Sequence, residues 1–131
     1  MPESHVSSVN EEISRGAVQL TREYTGRGPT KARTEINTDT VAIVLADTLT
    51  KGERNLAALG EEKHVLQTRH AYQGVMRADL IALVEKHSGR IVTAMLSANH
   101  IDPDVAVEFF LLQPLPGGEA QAIGGRAPAS S

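Results

Sequence analysis

No cysteine occurs anywhere in the 131-residue chain. Disulfides, thiolate metal sites and cysteine nucleophiles are therefore excluded. Tryptophan is also absent, and aromatic residues make up only 3% of the chain, so the core must be assembled from Val, Leu, Ile and Ala. No run of apolar residues is long enough for a bilayer-crossing helix. The polar start Met1-Pro2-Glu3-Ser4-His5 has no secretory character, so the expectation is a cytoplasmic protein with no direct membrane insertion. The chain has no excess of positive charge. Thirteen basic residues stand against 16 acidic ones, a formal charge of −3, which argues against a nucleic-acid partner.

What is present suits one domain. Val9, Ile13, Ala17, Leu20 and Tyr24 recur at helical spacing and predict a helix from Ser8 to Tyr24. Ser8 and Glu11 have capping-box spacing at its start, and Gly26 and Pro29 stop it. Two strands follow, residues 32–37 and 40–49. The second contains Val41-Ala42-Ile43-Val44-Leu45-Ala46, apolar on both faces, so both faces are expected to meet protein. Thr50 is placed to cap a short helix over 51–59, and Gly60 divides it from a long helix over 61–87. The apolar stripe of that helix is Val65, Tyr72, Met76, Leu80, Leu83 and Val84. Arg69, Gln73 and Arg77 are read as a polar, solvated stripe, and Glu85 as a solvated charge. A second hairpin pairs residues 91–98, with Val92, Ala94, Leu96 and Ala98 on one face, with residues 105–112.

The two halves match at an offset of 63 residues: Ile13 with Met76, Ala17 with Leu80, Leu20 with Leu83, and Thr25-Gly26-Arg27 with Ser88-Gly89-Arg90. The predicted fold class is α+β. It is a two-layer sandwich in which a tandem α-β-β repeat gives a four-stranded antiparallel sheet with helices on one face. The domain spans 8–112, with halves 8–49 and 61–112 joined by the helical segment 50–60, and 113–131 reads as a flexible tail. The outer sheet face should carry apolar residues, Phe109 or Phe110 among them. That face, or the helix face around Tyr72, is expected to close a homodimer.

Three stretches taken in order resemble a known family. They are Leu20-Thr21-Arg22-Glu23-Tyr24-Thr25-Gly26-Arg27-Gly28-Pro29-Thr30-Lys31-Ala32-Arg33, then Leu49-Thr50-Lys51-Gly52-Glu53-Arg54, then Leu83-Val84-Glu85-Lys86-His87-Ser88-Gly89-Arg90-Ile91-Val92. Together they resemble the domain family named for the Na+-translocating membrane potential-generating system. The resemblance implies association with a membrane system that moves ions or inorganic carbon, and so a membrane transport protein as partner. A chain without a membrane span would be a peripheral or regulatory component there, because backbone inside lipid must be satisfied internally.

No catalytic signature, metal-ligand spacing or cofactor motif is visible, so a non-enzymatic accessory or binding module is expected. His64 and His70 do not share a helical face, and His100, Asp102 and Asp104 lie in a turn. The best candidate site is the basic glycine loop. Arg27, Lys31 and Arg33, with Arg90 from the second half, could hold an anion, which gives the alternative of a cytoplasmic sensor for a small anionic ligand. The plainer role for Arg27 and Arg90 is to bond the last carbonyls of the helices they follow.

Overall fold

A computed structural model describes residues 4–116, with side chains described from residue 9 onward. The elements run α1 (Ser4–Thr25), β1 (Lys31–Ile36), β2 (Thr40–Ala46), α2 (Lys51–Ala58), α3 (Glu62–Ser88), β3 (Val92–His100) and β4 (Val105–Leu112). The four strands form one antiparallel sheet in the order β1-β2-β4-β3. The α+β class and the open antiparallel sheet with helices packed against it are as the sequence predicts. Each half supplies one helix and one hairpin, and the halves meet where β2 pairs with β4.

Helix α1 starts four residues ahead of Ser8, so Ser8 and Glu11 lie inside it and do not cap it. Its end follows expectation. Gly26 has φ +85°, the left-handed geometry that glycine adopts without a Cβ penalty, and its N–H bonds the Arg22 carbonyl. Gly89 closes α3 in the same way at φ +71°. Thr50 caps α2 through a complete capping box with Glu53.

The core lies between the helices and one face of the sheet. Ile13 and Ala17 from α1 and Met76, Leu80 and Val84 from α3 pack on Val41, Ile43, Leu45, Met95, Ala106, Phe110 and Leu112. The helices approach each other closely where Gly16 meets Leu83. α1 rests on β1, α3 on β3, and α2 packs beside α3.

Two strand readings are corrected. β2 ends at Ala46, because Asp47 takes φ +61° and turns the chain away. Only Val41, Ile43 and Leu45 of β2 are covered by helices; Ala42, Val44 and Ala46 face outward and are half-buried among their neighbouring strands. In β3 the register shifts between Val92 and Ala94, a bulge at Thr93. An extra residue reverses the inward and outward phase of everything after it. Met95, Ser97 and Asn99 therefore face the helices, while Leu96 is 56% exposed on the other side, opposite to the face expected from simple alternation. Glu85 is part of this irregularity rather than a free charge: its carboxylate accepts the Val92 N–H at 2.9 Å.

Residues 117–131 of the expected tail lie outside the described residues. Gln113 is fixed at the sheet end, where its N–H donates to the Ile91 carbonyl at 2.7 Å and its own carbonyl accepts from Arg90 at 2.9 Å.

Candidate functional site

The four basic residues singled out from the sequence are not gathered in one place. Arg27 follows α1 and donates through Nε to the Asp47 carbonyl at 2.9 Å, at the end of β2. Arg90 lies at the other end of that strand, donating to the Thr38 carbonyl at 3.0 Å, the Asp39 carboxylate at 2.7 Å and the Gln113 carbonyl. The seven residues of β2 separate the two arginines, about 20 Å of extended chain. Neither arginine bonds a carbonyl of its preceding helix. Each instead ties the chain just past its helix to one end of β2. Lys31 is exposed at the start of β1, and Arg33, also exposed, pairs with Glu35 at 3.4 Å on the same strand.

The turn residues are also structural. Asp104 accepts the backbone N–H groups of Thr48 and Leu49 and the Thr48 hydroxyl, all at 3.0 Å, which ties the β2–α2 connection to the start of β4. His100 Nδ1 lies 3.0 Å from the Pro103 carbonyl.

The unexpected chemistry is inside. Arg69 and Gln73, read from the sequence as solvated, are 4% and 5% exposed. They stand on the inward stripe of α3 with Val65, Met76, Leu80 and Val84. The reason is that each has a buried partner. Arg69 Nη1 meets Glu53 of α2 at 3.3 Å, and its guanidinium lies 5.9 Å from the centre of the Tyr72 ring. Gln73 donates to Glu108 of β4 at 3.0 Å and forms a reciprocal amide pair with Asn99 of β3. Arg77, the third of that stripe, is exposed, and Nη1 reaches the Met95 carbonyl at 3.2 Å.

Glu108 was missed altogether by sequence reasoning. It sits in the middle of β4 on the helix-facing side, 2% exposed. Ser97 donates to one of its oxygens and Gln73 to the other. Burial pushes its pKa above the ordinary glutamate value, against the lowering effect of those two hydrogen bonds and of the nearby Arg69 charge. Both oxygens are occupied and the residue is buried, so Glu108 ties α3, β3 and β4 together. The signal that could have found it is a lone carboxylate in phase with Ala106, Phe110 and Leu112 on a strand that is otherwise apolar.

The opposite face of the sheet has the reverse character. No described helix lies over it. Its central strands present Ala42, Val44 and Ala46 beside Val105, Val107, Phe109 and Leu111, and β3 adds Ala94, Leu96 and Ala98. Charge is confined to the β1 edge, at Lys31, Arg33 and Glu35, with His100 at the far corner. A contiguous apolar surface of this kind is more common where proteins meet than on the free surface of a monomer.

Among the described residues no group of three or more His, Cys, Asp or Glu is arranged to hold a metal, and no helix is long and apolar enough to cross a membrane. No curated protein and no solved structure is detectably similar to the chain. The sequence model of one family, described as "Na+-translocating membrane potential-generating system (MpsC)", matches residues 5–114, which takes in β1 to β4 and all of α1 but its first residue. With most of its length covered by that match, the chain belongs to the MpsC family.

Proposed function

We propose that this protein is a non-enzymatic accessory module of a membrane system that generates a potential with Na+, that it works from the cytoplasmic side as a homodimer, and that it joins the system through protein contacts. The family description supplies the link to a membrane system. The observation that supports a binding role is the distribution of polar and apolar groups. Glu108, Gln73, Arg69 and Asp104, the groups best suited to chemistry, are tied into the interior or into turns. The sheet face away from the helices is apolar at its centre, with Val44, Val107, Phe109 and Leu96, and carries its charge at the β1 edge. That division suits a protein whose surface recognises other protein. The matching order of elements in the halves, with left-handed glycines at 26 and 89, favours descent from one duplicated α-β-β unit.

The test is recovery of the tagged protein from detergent-solubilised native membranes, with co-purifying chains identified by mass spectrometry. Specific enrichment of an ion- or carbon-transporting membrane protein is the expected result. Recovery of the chain with no membrane protein, in several detergents, would sink the accessory role.

A further inference from the structure

The uncovered sheet face has an internal pattern that says what fits it. Across the four strands, one row of outward residues reads Arg33, Val44, Val107, Ala98. Two residues along, the parallel row reads Glu35, Ala42, Phe109, Leu96. Between them runs Thr34, Ile43, Glu108, Ser97, whose side chains point to the helices. The two outward rows are complementary position by position. A cation stands against an anion, Val against Ala, Val against Phe, and Ala against Leu.

From this we infer that the face is covered by a second copy of the same chain, with the two-fold axis running across the strands along the Thr34–Ile43–Glu108–Ser97 row. This inference rests on the homodimer proposed above and fixes its geometry. A rotation about that line exchanges the two rows. Arg33 then faces the Glu35 position of the other copy, Val44 faces Ala42, Phe109 faces Val107 and Leu96 faces Ala98, and each pairing occurs twice. Large residues meet small ones, as interdigitating sheets require at a separation of about 10 Å. The interface is isologous, so one solved contact solves its symmetry mate.

The competing two-fold, parallel to the strands, would lay β1 over β3. Arg33 and Glu35 would then be desolvated against Leu96 and Ala98, which is unfavourable for charges. A lipid surface is disfavoured as the occupant for a related reason. The face lacks a basic rim: its positive charges are Lys31 and Arg33 on one edge, and Glu35 sits among them. The result is a four-layer α/β/β/α particle with both helix layers outward, where a further partner would meet them.

The experiment is sedimentation equilibrium of the full chain over a wide concentration range, with three variants. The wild type should sediment at twice its 14.0 kDa mass. Val107→Asp, at the centre of the face, should be monomeric with an unchanged circular dichroism spectrum. Arg33→Glu alters only an exposed edge residue and so leaves folding intact. It places like charges together twice per dimer and should weaken the dimer on the order of tenfold. The double variant Arg33→Glu/Glu35→Arg reverses both charges and should restore it to within about threefold. A monomeric wild type, a dimer indifferent to Val107→Asp, or a monomer that floats with anionic vesicles would each overturn the second copy as occupant. A dimer broken by Val107→Asp but indifferent to Arg33→Glu would overturn the axis. A monomeric wild type removes the homodimer together with its geometry, a dimer indifferent to either single variant removes the geometry alone, and none of these outcomes bears on the membrane co-purification.

Discussion

Arg69→Met is the perturbation whose cost the structure defines most closely. Methionine replaces much of the arginine stem, so little cavity forms. What is lost is the charge. Glu53 of α2 is left as a buried carboxylate whose remaining described partner is the Thr50 N–H at 2.8 Å, and its second oxygen is already without a hydrogen bond. Breaking one side of a buried ion pair costs about 3–5 kcal/mol. The pair is held by a single contact at 3.3 Å and the Arg69 Nε is also unbonded, so the low end, about 3 kcal/mol, is expected. Glu53→Gln keeps the carbonyl that accepts from Thr50 and removes the stranded charge. The double variant Arg69→Met/Glu53→Gln should therefore return to within about 1 kcal/mol of wild type. Urea unfolding followed by circular dichroism near neutral pH measures all three. A loss below about 1 kcal/mol for Arg69→Met, or a double variant no better than the single, would refute the idea that this buried pair joins α2 to α3.

Glu108→Gln tests the other half of the interior. Because burial raises the folded-state pKa of Glu108, the native form binds its proton more tightly than the unfolded chain does. Its contribution to stability is therefore greatest on the acid side and is lost as pH rises from the ordinary glutamate value through the raised one. Glutamine can accept from Gln73 and donate to Ser97, so the variant should match or exceed wild type near neutral pH. Its advantage should shrink on acidification, as read from urea midpoints between about pH 4 and about pH 8. Arg90→Ala removes three hydrogen bonds and strands the buried Asp39, and should cost about 3 kcal/mol in the same assay. Gly26→Ala and Gly89→Ala meet no atom within 4 Å, so each should cost only the backbone strain of a left-handed alanine, about 1 kcal/mol, seen as a lowered thermal midpoint.

The helices and the sheet were legible because the apolar residues carry their periodicity openly. Ile13, Ala17 and Leu20 recur at helical spacing, and the bounds of β4 follow from Pro103 and Pro114 on either side. The interior polar cluster was not legible. Arg69 and Gln73 lie in phase with Val65 and Met76, so their position was readable, but polar side chains at such positions usually mark solvent. Their burial depends on partners 16 and 35 residues away, Glu53 and Glu108, and no local pattern announces a pairing over that distance. β3 misled for another reason. Its sequence alternates cleanly, but the bulge at Thr93 shifts the phase, and a bulge is set by strand pairing rather than by the strand's own residues. The basic residues near the glycine loop were visible as charges. Their separation followed only from the topology, which sends Arg27 and Arg90 to opposite ends of β2.

The strand order also governs how the chain can assemble. Both edges of the sheet, β1 and β3, are outer strands of their own hairpins, while the inner strands β2 and β4 belong to different halves. A half on its own would carry a two-stranded ribbon with one apolar strand lacking a neighbour, and that strand could be satisfied only by another hairpin of the same shape. Cleavage within α2 would thus give two fragments that recognise each other, neither of which keeps its sheet alone. The pairing of β2 with β4 is the longest-range strand pairing of the sheet, bringing together Val44 and Val107 from distant parts of the chain. Long-range pairings of this kind slow folding in general, because a large loop must close before its contacts repay the entropy lost.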